Sequence, residues 1–128
     1  MDQIMVEKLI EKAKQASERA YCPNSERPIG ACLLTNSGMI FTGCNIEISS
    51  FAGSLGAIEV VISKAISEGA NGIRMLVNYC ESELYFPTGS EREFMKEFVD
   101  KTTIVCATKG HYEQFQMREL LPFSVKDA

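Results

Sequence analysis

Apolar residues recur in two different rhythms along this chain. In the first segment Met5, Leu9, Ala13, Ala16 and Ala20 return at intervals of three and four, the period of a helix with one apolar face. Asp2 stands where an N-cap belongs, and Pro23 and Asn24 end the element. Residues 29–34 then form a short apolar run, and residues 39–44 a second. Between them lies Asn36-Ser37-Gly38, whose Asn and Gly tolerate positive φ, so the pair reads as a β-hairpin. A small-residue stretch over 49–56 opens a second helix with Leu55, Ile58, Ile62, Ala65 and Ile66 on one face, stopped by Gly69. Val60 and Val61 fill its other sides, which predicts a central helix or one in a subunit interface.

The second half alternates. Residues 74–79 predict a strand, Pro87 and Thr88 open a helix carrying Phe94 and Phe98, and residues 103–107 predict the next strand. Residues 111–115 give a fifth strand and residues 117–121 a last helical turn before Pro122. Strands that alternate with helices point to an α/β fold, a mixed sheet covered on both faces. No repeat or linker interrupts the 128 residues, so residues 1–128 are expected to form a single domain.

The formal net charge of -4 gives no electrostatic reason to bind a nucleic acid polymer or an anionic membrane. A small-molecule partner is expected instead. Cys22, Cys32, Cys44, Cys80 and Cys106 form no Cys-x-x-Cys clip, and their odd number argues against a disulfide framework. With no long apolar run or signal sequence, a cytoplasmic protein is expected.

Several stretches together resemble the cytidine deaminase family of small nucleoside-type enzymes. They are Ala20-Tyr21-Cys22-Pro23, Pro28-Ile29-Gly30-Ala31, Thr42-Gly43-Cys44-Asn45-Ile46-Glu47, Lys64-Ala65-Ile66-Ser67-Glu68-Gly69 and Arg118-Glu119-Leu120-Leu121-Pro122. The resemblance spans roughly residues 4–123. It implies a cytidine deaminase-like three-layer α/β/α fold with a five-stranded mixed sheet, assembled as a homotetramer. It also implies a zinc ion on three thiolates, and a glutamate that shuttles protons while hydroxide attacks a pyrimidine.

Ungapped counting from Asn45 to Gly69 puts the family's Cys-Ala-Glu triplet on Gly56, Ala57 and Ile58. Glu59 then takes the place of an arginine, and a slip of one residue would bring it to the shuttle position. The family's Pro-Cys-x-x-Cys falls on Pro87, Thr88, Gly89, Ser90 and Glu91. Thr88 and Glu91 there have the spacing of a capping box, a structural substitute for charge at a helix N-terminus. His111, the single histidine, reads as solvated.

The resemblance assigns Asn45 and Glu47 to the ribose hydroxyls. Arg27 stands where the family has an aromatic against the nucleoside, and suits a base or an anionic ligand. The family's contact from a C-terminal phenylalanine is in question, because Phe123 follows Pro122 directly. The expectation is therefore a zinc-free relative, with no metal or other cofactor, that does not deaminate. It would bind a nucleoside-like small molecule or serve a structural or regulatory role. The rival is an enzyme that reuses the pocket for metal-independent chemistry, with Glu47, Glu59 and Glu91 as its acids or bases. Behind it stands an active deaminase with relocated ligands.

Overall fold

A computed structural model describes residues 3–123, so the expected Asp2 cap lies outside the described residues. The elements follow the expected order. They are α1 (Gln3–Ser17), β1 (Ile29–Thr35), β2 (Ile40–Cys44), α2 (Ala57–Ser67), β3 (Ile73–Cys80), α3 (Gly89–Phe98), β4 (Thr103–Thr108), β5 (His111–Phe115) and α4 (Met117–Leu120). One short 3-10 turn, Phe51–Gly53, precedes α2.

The strands form one sheet in the order β2-β1-β3-β4-β5. β1 pairs antiparallel with β2 and with β3, and β4 pairs antiparallel with β5. β3 and β4 run parallel, as two strands joined by a crossover helix must. The expected five-stranded mixed sheet is thus present.

Its two faces carry separate cores. Cys32, Leu34, Met75, Val77, Tyr79, Val105 and Ala107 meet Val6, Leu9 and Ala13 of α1 on one side. Ala31, Leu33, Leu76, Cys80 and Ile104 meet α2 and Met95 of α3 on the other. The split follows from the period of two along each strand. α1 lies close to the sheet because Gly30 has no side chain: a Cβ there would stand 1.9 Å from the Ala13 carbonyl oxygen and 2.6 Å from the Ser17 nitrogen.

The second helix differs from the expected pattern. Its buried face is Ala57, Ile58, Val61, Ile62 and Ala65, while Leu55 and Ile66 are exposed. Val61 is a core residue and not a contact for another subunit. Val60 rests over β2, where Gly43 leaves room for its Cγ1. The helix is apolar on two sides because it fills the space above both β1 and β2.

Gly30→Ala should lower stability by about 3 kcal/mol, because backbone rather than a flexible side chain blocks the added methyl. Chemical denaturation measures this; a variant as stable as the parent would mean that α1 lifts off the sheet without cost.

Candidate active site

The site is assembled at the ends of two helices. β3 runs out at Cys80, and the chain turns through residues 81–88 into α3. α2 begins beside it, after the segment that leaves β2. The two N-termini therefore face a common space. Each brings unsatisfied amide groups and the positive end of a helix dipole. Arg92 fixes the start of α3, donating from Nε to the Pro87 carbonyl at 2.8 Å and from Nη1 to the Leu120 carbonyl at 2.7 Å.

Glu91 fills the space between the helices. It is only 5% exposed. Its Oε1 accepts from the Thr88 amide at 3.0 Å and from the Thr88 hydroxyl at 3.2 Å. The Glu91 amide donates back to Thr88 Oγ1 at 3.2 Å, which completes the expected capping box. The other carboxylate oxygen reaches α2: a Cβ on Gly56 would stand 2.1 Å from it, and the Ile58 amide bonds the same group. Burial pushes the Glu91 carboxyl above the usual carboxylate range, against the pull of the Thr88 amide, and the negative charge of Glu59 adds to the rise. Glu59 sits alongside with its Oε1 accepting from the Gly56 amide at 2.8 Å. The two candidate acids thus come together at the mouth of α2.

The three candidate ligand contacts lie on the neighbouring loops. Asn45 is buried; its Oδ1 accepts from the Ile29 amide and its Nδ2 donates to the Arg27 carbonyl, both at 3.0 Å. Glu47 accepts from the Asn24 and Ser25 amides, each at 3.0 Å, and the Ser25 bonds hold its carboxyl below the ordinary value. Arg27 pairs with Glu83 at 3.3 Å and lies over the Tyr85 ring, 5.3 Å from its centroid. The guanidinium that was expected to stack on a ligand thus stacks first on a residue of the chain itself.

Two residues of the site escape a reading of the sequence. Tyr85 has its phenol pushed up by burial and then by the Glu91 charge, while Arg27 opposes the rise. Its ring carries Arg27, and its carbonyl accepts from Asn78. Asn78, in the middle of β3, is 2% exposed; its Nδ2 donates to the Tyr85 carbonyl at 3.0 Å, and its Oδ1 has no hydrogen-bond partner among the described residues. A buried amide oxygen left so costs about 1–3 kcal/mol. Its one mark in the sequence is that it is polar and follows the apolar run 75–77.

Other candidates stand apart. His111 is exposed on the edge strand and meets Glu113 at 3.1 Å. Cys32 and Cys106 are buried thiols pushed up to about 12 by desolvation, unsuited to nucleophilic work. A cleft of about 840 Å³ lies at the far end of α3, lined by Val99, Thr103, Met117 and Pro122, away from the carboxylates.

Similarity to known proteins now bears on this geometry. A family model described as "Cytidine and deoxycytidylate deaminase zinc-binding region" matches residues 4–107. The chain belongs to the cytidine deaminase family. It is 38% identical over 127 residues to the cytidine deaminase of Sporosarcina psychrophila, covering 95% of this chain and 93% of that one. It is 32% identical to that of Halalkalibacterium halodurans, covering 93% and 94%. The crystal structure of the cytidine deaminase of Burkholderia pseudomallei superimposes with a TM-score of 0.87 at 29% identity, covering 98% of this chain and all of the other.

These relatives overturn the expectation of a zinc-free pseudoenzyme that does not deaminate. Similarity over nearly the whole length to proteins named cytidine deaminase points to an active deaminase. That expectation rested on a few positions read one at a time. At those positions Gly56, Thr88 and Glu91 offer one hydroxyl and one carboxylate, and no group of three or more His, Cys, Asp or Glu among the described residues is placed to hold a metal ion. This donor set does not fit a tetrahedral zinc, so the chemistry below is derived from the protein's own side chains.

The raised Glu91 carboxyl has a measurable sign. Its folded state holds the proton more tightly than the unfolded chain does. The stability it contributes is present below the unfolded carboxyl value and is lost as pH rises through the folded one. Glu91→Gln should therefore gain melting temperature relative to the parent as pH goes from acidic to neutral. A difference that stays constant across this range would show that the carboxyl is not shifted.

Proposed function

We propose that the chain is an enzyme that removes the amino group of a cytidine-like nucleoside by hydrolysis, with the Glu91 carboxyl as its proton-transfer group. One observation carries the assignment: a single buried carboxyl stands between two helix N-termini, with its affinity for protons raised. A group that must both take and return a proton near neutral pH needs such a shift.

In this reading water adds to C4 of the pyrimidine and gives its proton to Glu91. Glu91 returns a proton to the departing amine. The C4–N bond breaks as the new C4–O bond becomes a carbonyl. Of the two water protons, one ends on ring N3 and the other on ammonia. The amides of Thr88 and Ile58 keep the deprotonated carboxylate oriented. Glu59, one bond from the Gly56 amide, favours the protonated form of its neighbour.

The loops supply substrate binding. Asn45 has a second N–H beyond the one given to the Arg27 carbonyl, and Glu47 has a second carboxylate oxygen; these meet the ribose hydroxyls. The Arg27–Tyr85 stack forms a flat wall for the base. We place the enzyme in the cytoplasm, where Cys32, Cys80 and Cys106 stay buried as free thiols. No helix among the described residues is long and apolar enough to cross a membrane. We read residues 1–128 as one domain.

The assembly proposed is a homotetramer. Tyr21 and Leu55, 61% and 47% exposed, flank Ile46 through the bridges Tyr21–Ile46 and Ile46–Leu55. This apolar ridge borders the site and suits a contact with a second copy. It replaces Val61 as the expected contact.

With cytidine and deoxycytidine as substrates, Glu91→Gln should lose about 10²–10⁴-fold in kcat with KM within a few-fold. Full activity in Glu91→Gln would remove Glu91 from the chemistry, and a parent protein inert toward both nucleosides would reject the reaction. Separately, light scattering should give the mass of four chains, and Leu55→Glu should shift it toward smaller species. A parent mass of one chain would reject the assembly.

A further inference from the structure

Asn78 breaks the chemistry of its own strand. It pairs with Ala31 of β1 and Cys106 of β4, on the face that α2 and α3 cover. Its companions on that face are Leu76, Cys80 and Ile104, all buried in the larger core. An apolar side chain of the same size would complete that core without leaving a polar atom bare. The amide is held in a fixed orientation, because its Nδ2 donates to the Tyr85 carbonyl. That bond assigns the two ends of the amide and directs Oδ1 elsewhere. Oδ1 is buried and has no partner among the described residues. A polar atom so placed in a native core calls for an explanation.

The surroundings identify what it awaits. Tyr85 packs against the same core and feels both Glu91 and Arg27. Cys106, the cross-strand neighbour of Asn78, feels Arg92 and Glu91. The bond from Nδ2 ties Asn78 to Tyr85, whose ring carries Arg27, and so to the base wall rather than to the ribose contacts. An amide oxygen accepts hydrogen bonds and cannot donate one. It matches an N–H donor on a heterocycle and repels a carbonyl.

We infer that Asn78 is a specificity residue, whose Oδ1 accepts a hydrogen bond from the exocyclic amino group of the substrate base. The inference rests on the proposed nucleoside reading and adds to it a way to tell substrate from product. Before reaction the position opposite Oδ1 holds –NH₂, a donor. Afterwards it holds C=O, a second acceptor, and two acceptors face each other. The same atom thus favours entry of the amine and departure of the carbonyl product.

The test measures binding where turnover is blocked. In the Glu91→Gln background, calorimetry compares cytidine with the riboside of pyrimidin-2-one, which lacks only the amino group. Asn78→Ala and Asn78→Leu are each added to that background, the second to keep the core volume filled. Both free the Tyr85 carbonyl, and any movement of that segment weakens the two ligands alike. The expected result is that cytidine binding falls about 10-fold relative to the pyrimidin-2-one riboside in whichever variant melts as a folded protein. An unchanged ratio of the two affinities overturns the role of Asn78 while the nucleoside reading stands. Failure of the parent and of Glu91→Gln to bind either nucleoside overturns that reading, and the inference with it.

Discussion

Two helix N-termini converge on one carboxyl, and the local structure is arranged around that convergence. α2 and α3 cover the same face of the sheet, so their positive ends cannot be moved apart without disturbing the core between them. Glu91 answers both at once, through the Thr88 amide and the Ile58 amide. Like-signed dipole ends that would repel each other become two supports for one anion. The same enclosure removes water, and removing water raises the cost of that anion. The carboxyl is held between these opposed effects, and burial outweighs the amides, so its affinity for a proton is raised.

The polar groups around it form a hierarchy. Nearest are Glu59 and the amides. Farther out are Tyr85 and Arg27, joined by a cation–π contact and by Arg27's pair with Glu83. Glu83 is half exposed, so that ion pair contributes little stability in water. Its effect is to hold the guanidinium flat on the ring. Asn45 likewise spends most of its hydrogen-bonding capacity on backbone, joining the start of β1 to the Arg27 loop. The polar residues proposed for substrate binding thus also fix the loops around them.

Much of the fold was legible from periodicity. The order of elements, the hairpin at Asn36-Ser37-Gly38 and the Thr88–Glu91 capping box all rest on local rules, and each is found where it was read. Val61 was misplaced for a tertiary reason: a helix lying over two strands buries more of its circumference than a single stripe allows. Tyr85 gave no local signal, and Asn78, a polar residue after an apolar run, did not reveal that its oxygen would be left without a partner among the described residues after folding. The function was misread because a handful of absent side chains outweighed similarity spread along the whole chain. Asn45 and Glu47 entered through the family resemblance; in the structure both bond the backbone of the 24–29 segment.

Gly56 carries a consequence for how this sequence can change. The Glu91 oxygen occupies the volume that any side chain at position 56 would need. A side chain at 56 therefore requires the Glu91 carboxylate to move, and with it the bond from the Ile58 amide, whereas a shorter residue at 91 removes that demand. The two positions are thus coupled although they stand far apart in sequence, and the effect of changing one depends on what occupies the other.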